Sequence, residues 1–291
     1  MKDISVKALA KINLGLDVVR KREDGYHEIR MVMQTIHLFD RLEISKNTSG
    51  EITMETNLSF LPTNENNLVY KAAKLLQDEF AIKDGMHVWL HKYIPVAAGM
   101  AGGSTDAAAV LYGMNQIFDL GLTREELMER GVKIGADVPY CIMRGTALAE
   151  GIGEKLSKLP PMVKCPVLIA KPQISVSTKF VYENLKLGSD MVHPDIDRLV
   201  ADIREKDLYK IATDMGNVLE TVTIPAYPVI ADIKDHMMEH GAVNAMMSGS
   251  GPTVFGLFDK EATAVEAYEA MKASGLAKQV YLTSIYNNAR K

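Results

Sequence analysis

The N-terminal segment of the chain alternates between apolar and polar residues with the two-residue period of a β-strand. From Val6 to Val18 every second residue is apolar, which predicts a strand with one apolar face. Lys11 and Asn13 then share the opposite face. Asp24-Gly25 predicts a hairpin turn, followed by a return strand over residues 26–38.

The rest of the pattern mixes short strands with segments of helical spacing. Further strands are predicted at residues 41–46, 51–56, 86–91, 167–170, 243–247, 253–258 and 279–285. Helices are predicted at residues 67–80, 104–118, 123–134, 178–186, 196–220, 226–240 and 261–274. Strands and helices do not alternate strictly, which predicts an α+β fold. Prolines near residue 160 predict two domains, residues 1–160 and 161–291.

A glycine-rich loop precedes the second predicted helix and carries the clearest chemical signal. Residues 95–109 read PVAAGMAGGSTDAAA. They include three glycines and three residues of helix-capping type: Gly99, Gly102, Gly103, Ser104, Thr105 and Asp106. Glycines admit close backbone approach, and a helix N-terminus attracts anions, so the segment predicts a phosphate site. It lacks the lysine of a P-loop and the spacing of a dinucleotide fingerprint. From the residues alone, a plain turn that begins a buried helix remains an alternative.

Four segments together resemble one kinase superfamily. The loop PVAAGMAGGST resembles the ATP-binding signature of the galactokinase, homoserine kinase, mevalonate kinase and phosphomevalonate kinase superfamily. MSGSGPTVFGLF, residues 247–258, resembles its C-terminal glycine motif. AKINLGLDVVRKREDGYHEI and GADVPYC resemble the branch formed by the 4-diphosphocytidyl-2-C-methyl-D-erythritol kinases. The resemblance runs from about Lys7 to Phe258; Met100 and Thr105 stand where leucine and serine are usual.

The resemblance implies a fold and a nucleotide site. The fold would pair an N-terminal ribosomal-protein-S5-like domain, which binds ATP and carries the catalytic residues, with a C-terminal ferredoxin-like α/β-plait domain. ATP would be the phosphoryl donor, and its phosphates would lie on the loop. The implied ATP-binding residues are Pro95, Val96, Ala97, Ala98, Gly99, Met100, Ala101, Gly102, Gly103, Ser104 and Thr105. Asn67 would lie near the adenine, and Mg²⁺ near the hydroxyl of Ser104 or Thr105.

The resemblance also implies a reaction, the phosphorylation of the 2-hydroxyl of a cytidyl diphosphate substrate. Lys11 and Asp137 match its catalytic residues. Asp137 would accept the hydroxyl proton, and a lysine beside it would keep the carboxylate ionised. From the residues alone, Asp137 could also be a solvated residue of a turn, and Lys11 could lie on the solvent face of a strand.

The same resemblance implies a pocket for the cytosine base. Tyr26 and Tyr182 would be its two aromatic residues, with Tyr26 stacking on the base, and His27 would hydrogen-bond the base. Asn13 would contact the substrate. The residues alone also fit a hairpin in which Tyr26 packs on the sheet and His27 is solvated, and a Tyr182 on the core-facing side of an amphipathic helix.

Composition limits the kinds of partner that the protein is expected to bind and the compartment in which it is expected to work. The formal net charge of the 291 residues is −4 and no basic block occurs, so nucleic-acid binding is not predicted. The sequence has no run near the roughly 18 apolar residues of a membrane helix and no signal-peptide pattern. Two cysteines, Cys141 and Cys165, indicate a reducing cytoplasm. The sequence predicts no oligomeric state.

One motif points to a different chemistry. Residues 236–240, HMMEH, match the H-x-x-E-H pattern of a class of zinc peptidases, and His236 and His240 lie one helical turn apart. The surrounding residues also predict the end of an amphipathic helix with Gly241 as its cap, which is the interpretation we favour.

The sequence also leaves open two other functions for the chain. One is a superfamily kinase for another small alcohol, such as homoserine or a mevalonate, and the other is a non-catalytic nucleotide-binding protein.

Overall fold

The computed structural model describes residues 3–188 and 191–288. The predicted α+β class is confirmed. The chain forms two compact units from alternating segments. The first unit takes the residues up to 10, 39–96 and 101–143, and the second takes 11–38, 97–100 and those from 144 onward. The division of the chain at residue 160 stays a prediction.

Two long strands contribute residues to both units. These are β1 (Asp3–Lys21) and β2 (His27–Asn47). They are joined by the predicted turn, in which Gly25 has a φ of 85°. The chain reverses where Arg22 donates its N–H to the Tyr26 carbonyl at 2.8 Å. The strands predicted at 26–38 and 41–46 are one strand, because β2 runs through Phe39 and Asp40 without a break.

The first unit packs helices against a small sheet. Its remaining elements are β3 (Ile52–Thr56), α1 (Leu68–Glu79), β4 (Gly85–His91), α2 (Gly102–Ile117), α3 (Arg124–Val132) and α4 (Val138–Met143). β4 pairs antiparallel with β2 and parallel with β3. Helix α2 is buried over most of its length and packs against α1 and α4. Thr123 and Glu126 form the predicted capping box at the start of α3.

The second unit contains a four-stranded antiparallel sheet in the order β11–β7–β10–β9. Its strands are β7 (Pro166–Lys171), β9 (Asn244–Met247), β10 (Val254–Leu257) and β11 (Gln279–Ser284). Along the chain, helices lie between β7 and β9 and between β10 and β11. This gives the ferredoxin-like arrangement that the resemblance implies. These helices are α5 (Thr178–Asn184), α6 (Ile196–Glu205), α7 (Leu208–Asp214), α8 (Glu220–Ala226), α9 (Val229–Glu239) and α10 (Glu261–Ser274).

Three short strands complete the second unit. They are β5 (Thr146–Gly151), β6 (Lys155–Lys158) and β8 (Gly216–Asn217). β5 pairs with β2 and with β6, and β8 pairs parallel with β1. Within the described residues no helix has the length and apolar character needed to cross a membrane.

The helix predicted at 196–220 is wrong, because the chain forms two helices there, α6 and α7, and then the short strand β8. Lys206 adopts a left-handed conformation with a φ of 59°, and this ends α6. Asp207 then caps α7 by accepting the N–H groups of Tyr209 and Lys210. The helix predicted from residue 226 starts later, because Pro228 stands at its N-cap.

Candidate active site

The glycine-rich loop is tied to the C-terminal glycine motif within the second unit. Gly99 has a φ of 72°, and a Cβ atom there would lie 2.0 Å from the carbonyl oxygen of Ser248. The Ser248 hydroxyl donates to the Gly99 carbonyl at 2.9 Å. Any side chain at Gly99 would therefore both strain the backbone and separate the two segments. The glycine-rich loop and the C-terminal glycine motif are thus in direct contact.

Lys11 lies against this loop and not in solvent. Its ammonium group donates to Asn13 Oδ1 and to the Gly99 carbonyl, each at 2.8 Å. Its backbone N–H donates to the Met100 carbonyl at 3.2 Å. Lys11 is 5% exposed and Asn13 is fully buried, so a place for Lys11 on the solvent face of the strand is wrong. Lysine is rarely buried without a specific partner, and here the loop carbonyl provides one.

Helix α2 begins at Gly102, two residues before the predicted start. Its N-cap is Ala101, which has a φ of 56° and, among the described residues, no side chain that caps the helix. Ser104 and Thr105 therefore lie inside the first turn and are not caps. Side-chain caps normally satisfy the first N–H groups of a helix. Here these groups remain available to a ligand, as an anion site requires.

The two glycines at the start of α2 differ in the space around them. A Cβ atom on Gly103 would find Leu68 Cδ1 as its nearest neighbour at 3.5 Å, an ordinary contact. A Cβ atom on Gly102 would press on Ile94 Cγ2 and Lys92 Nζ, both at 3.2 Å. Gly102 is thus constrained by protein packing, whereas packing does not explain why residue 103 is glycine. A ligand that needs close approach to the backbone would explain it.

A buried charge cluster supports the start of α2, and no pattern in the sequence predicts it. Lys92 donates to Asp40 and, at 2.7 Å, to Asp106 Oδ2. Asp40 also accepts the backbone N–H groups of Tyr93 and Ile94 at 2.6 and 2.8 Å. Burial raises the pKa of Asp106, and the charge of Lys92 opposes that rise. Because Ile94 directly precedes Pro95, the cluster holds both the entry to the loop and the helix that follows it.

Asn67 has a clear structural role at the start of α1. Its side-chain oxygen accepts the Val69 N–H at 2.9 Å, and its amide donates to the Pro62 carbonyl at 2.8 Å. The first of these bonds caps the helix, and the second holds the Asn67 side chain against the preceding segment. Its role near the adenine stays a prediction.

Asp137 directly precedes the short helix α4. Its carbonyl accepts the Cys141 N–H at 3.0 Å, while its side chain is partly exposed. Pro139 falls in the first turn of that helix, where its missing N–H costs nothing. Asp137 belongs to the first unit and Lys11 to the second, so the predicted pairing of the two side chains stays a prediction.

The predicted base pocket brings together residues that are distant in sequence. The rings of His27 and Tyr182 lie 5.0 Å apart between centroids, with an angle of 37° between their planes. Burial, and then the charge of Lys21, lower the pKa of His27, which favours the neutral imidazole. Tyr26 stands on the adjacent turn with its side chain 62% exposed. The alternative that Tyr182 is a core residue on the buried face of its helix is therefore wrong, because its ring contacts His27 and the side chain is not fully buried.

Comparison with known protein families defines the class. The family model described as GHMP kinases N terminal domain matches residues 67–145, which contain the loop and Asp137. The model described as GHMP kinases C terminal matches residues 199–277, which contain the second glycine motif. The fold is thus that of a GHMP kinase.

Individual relatives narrow the class further. A 4-diphosphocytidyl-2-C-methyl-D-erythritol kinase of Lachnospira eligens is 57% identical over 98% of this chain and 99% of its own length. The protein of that name from Lachnoclostridium phytofermentans is 56% identical over 98% of both chains. The chain therefore belongs to the 4-diphosphocytidyl-2-C-methyl-D-erythritol kinase family.

Solved structures agree with this assignment. The crystal structure of a 4-(cytidine 5′-diphospho)-2C-methyl-D-erythritol kinase matches with a TM-score of 0.85 at 29% identity, covering 98% of this chain and all of that one. A homoserine kinase from Cytophaga hutchinsonii matches with a TM-score of 0.81 at 20% identity, covering all of this chain and 96% of that one, and this likeness shows the fold alone. The resemblance found in four motifs is confirmed, and the chain is a kinase and not a non-catalytic binding protein.

Proposed function

We propose that the protein transfers the γ-phosphoryl group of ATP to the 2-hydroxyl of 4-diphosphocytidyl-2-C-methyl-D-erythritol. The products are the 2-phosphate and ADP, and the reaction belongs to the non-mevalonate route to isoprenoid precursors. The observation that carries the proposal is the 57% identity, over nearly the whole chain, to a relative of that name. The loop, the base pocket and the buried lysine support it.

The loop holds the triphosphate. Residues 96–104 supply backbone N–H groups, and the N-terminus of α2 adds the positive end of its dipole. Phosphoryl transfer depends mainly on positioning and on neutralising charge, which this arrangement supplies. Mg²⁺ accompanies ATP and neutralises charge on its phosphates. Ser104 is the better candidate to hold it, because Thr105 is only 1% exposed whereas Ser104 is partly exposed.

Asp137 accepts the proton of the substrate 2-hydroxyl. The hydroxyl oxygen then bonds to the γ-phosphorus as the bond between that phosphorus and the bridging oxygen breaks, and ADP leaves. Lys11, held at the loop by the Gly99 carbonyl, adds positive charge to the reacting groups. Its neighbour Asn13 contacts the substrate.

The hairpin and α5 hold the cytosine. Tyr26 and Tyr182 provide ring faces for stacking, and His27 hydrogen-bonds the base. A neutral His27 has one donor and one acceptor nitrogen, which suits the mixed donor and acceptor edge of cytosine. The cytoplasm is the proposed compartment, because Cys141 and Cys165 are both buried and are not joined in a disulfide.

The test is a coupled assay of ADP release with three acceptors. These are 4-diphosphocytidyl-2-C-methyl-D-erythritol, homoserine and mevalonate, each with Mg²⁺ and ATP. We expect ADP release with the cytidyl acceptor alone, and its loss in Asp137→Asn. Release driven equally by homoserine or mevalonate would assign the chain to another small alcohol and overturn the proposed substrate.

A further inference from the structure

Three side chains at the end of α9 take no part in the proposed phosphoryl transfer. His236, Glu239 and His240 each offer one ligand atom, and these atoms all lie within 4.8 Å of one another. In a tetrahedral zinc site, bonds of about 2.0–2.1 Å set the ligand atoms about 3.4 Å apart. To bind one zinc ion, the distance between any two of these ligand atoms therefore has to shorten by roughly 1.4 Å at most. Rotation of the side chains can shorten it by this amount.

One histidine is already oriented as metal ligands are. Nδ1 of His240 lies 2.8 Å from the backbone carbonyl oxygen of His236. A carbonyl oxygen only accepts, so Nδ1 donates this hydrogen bond, and in the neutral imidazole the lone pair is then on Nε2. Histidines that bind metals commonly donate their other N–H to a carbonyl in this way, which fixes both the ring and its tautomer.

The second histidine presents an unsatisfied nitrogen. Nε2 of His236 is buried and has no hydrogen-bond partner among the residues that the structure describes. The rings of His236 and His240 are only 4.2 Å apart between centroids, tilted by 37°. Two protonated imidazoles at this distance would repel each other. A cation that binds both lone pairs would satisfy the buried nitrogen and use the short distance between the rings.

We propose that His236, Glu239 and His240 form a binding site for a divalent transition metal of the Zn²⁺ type. Two imidazoles and one carboxylate suit such a cation and are poor ligands for Mg²⁺, which prefers oxygen. A water molecule completes the coordination. The site uses none of the residues assigned to Mg²⁺ in the kinase reaction, and it does not depend on which acceptor the enzyme phosphorylates.

The bound metal would stabilise the last turn of α9 in the second unit. α9 packs on β9 and β10, and Met237, between the ligands in sequence, is fully buried. Its sulfur lies 3.0 Å from where a Cβ atom of Gly256 in β10 would be. A cation that joins residues 236, 239 and 240 would hold this turn helical and keep Met237 against the sheet. We therefore expect Zn²⁺ to raise the melting temperature of the protein.

The test is calorimetric titration of the metal-free full-length protein, without a histidine tag, with Zn²⁺ in excess Mg²⁺. We expect one Zn²⁺ per chain, with affinity reduced on the order of ten-fold or more in His240→Ala and Glu239→Gln. Both residues lie at the end of the helix, so these variants should fold. His37→Ala, an exposed histidine in the same unit, is the matched control and should bind Zn²⁺ as the unmodified chain does.

Titration with Co²⁺ supplies an independent readout. A tetrahedral site gives the intense visible absorption of four-coordinate Co²⁺, and this absorption should disappear in His240→Ala but not in His37→Ala. Zn²⁺ binding of equal strength in all four proteins would mean adventitious surface binding and would overturn the proposal. Absence of Zn²⁺ binding to the unmodified chain would overturn it as well, whatever the kinase activity.

Discussion

Replacing Gly103 by alanine should stabilise the fold and weaken ATP binding at the same time. Gly103 lies in the first turn of α2, and its φ is not in the left-handed region. The new methyl group meets Leu68 Cδ1 at 3.5 Å, so it fits without strain. Alanine in place of a helical glycine gains about 0.5–1 kcal/mol, and we expect the lower value of about 0.5 kcal/mol in the first turn.

The effect on ATP has the opposite sign. The methyl group occupies the space through which a phosphate would approach the helix N-terminus. We expect ATP affinity to fall about ten-fold or more, which corresponds to ~1.4 kcal/mol. The cytidyl substrate, bound by other residues, should keep its affinity. Gly103→Val should show a larger loss, because its side chain is bulkier.

The assay combines thermal unfolding with calorimetric titration of a non-hydrolysable ATP analogue. We expect the melting temperature of Gly103→Ala to rise by about 1 °C. Gly99→Ala is the contrasting variant, because its left-handed backbone alone costs about 1–2 kcal/mol and its methyl group would lie 2.0 Å from the Ser248 carbonyl oxygen. If Gly103→Ala bound the analogue normally, the phosphates would not lie on this turn and the reasoning would fail.

Other substitutions separate the remaining roles. Asp137→Asn should lower kcat on the order of 10²-fold or more with ATP affinity unchanged, and near-normal turnover would exclude it as the base. Tyr26→Ala and Tyr182→Ala should each weaken binding of the cytidyl substrate by about 1–3 kcal/mol in calorimetry, the usual contribution of one stacked ring, whereas Tyr26→Phe should bind normally. An unaltered affinity in both alanine variants would remove the base pocket. Asp40→Ala should lower the free energy of unfolding by about 3–5 kcal/mol in urea titration, because it breaks a buried ion pair, and a loss under about 1 kcal/mol would contradict that. Burial raises the pKa of Cys165 to about 12, so the thiol should resist alkylation near pH 8.5 when folded. The free energy of unfolding should correspondingly fall as pH rises from about 9 towards 12, and alkylation of the folded protein at the unfolded rate would refute this.

Local chemistry predicted the elements whose signals lie within a few residues. Asp24-Gly25 specified the hairpin, since the glycine adopts a φ of 85°. Thr123 and Glu126 specified the start of α3 through reciprocal hydrogen bonds. The glycine loop was visible because its residue types and spacing are unusual on their own. Such features need no knowledge of distant parts of the chain.

Features that depend on long-range contacts were missed. The burial of Lys11 requires Gly99, 88 residues away, and Lys92 is buried because it meets Asp40, 52 residues away. A strand pattern cannot show that its polar face will be covered. The contact between His27 and Tyr182 was implied only by the family resemblance, since nothing within either segment specifies the other.

Breaks within helical or strand patterns were also hard to predict. Residues 196–220 keep enough apolar spacing to suggest one helix, yet Lys206 takes a left-handed conformation and Asp207 starts a new helix. An aspartate suits both a helix surface and an N-cap, so its type did not decide between them. β5 and β6 were missed because they are short and contain few β-branched or aromatic residues.

Phosphorus NMR of the reaction mixture tests the proposed reaction most directly. The protein, with Mg²⁺, ATP and 4-diphosphocytidyl-2-C-methyl-D-erythritol, should convert ATP to ADP and add one phosphomonoester signal, while the diphosphate of the cytidyl substrate stays intact. One phosphomonoester should form for each ADP. If ADP appeared together with inorganic phosphate and no phosphomonoester, or if the cytidyl diphosphate were cleaved, the chain would not be the kinase that we propose.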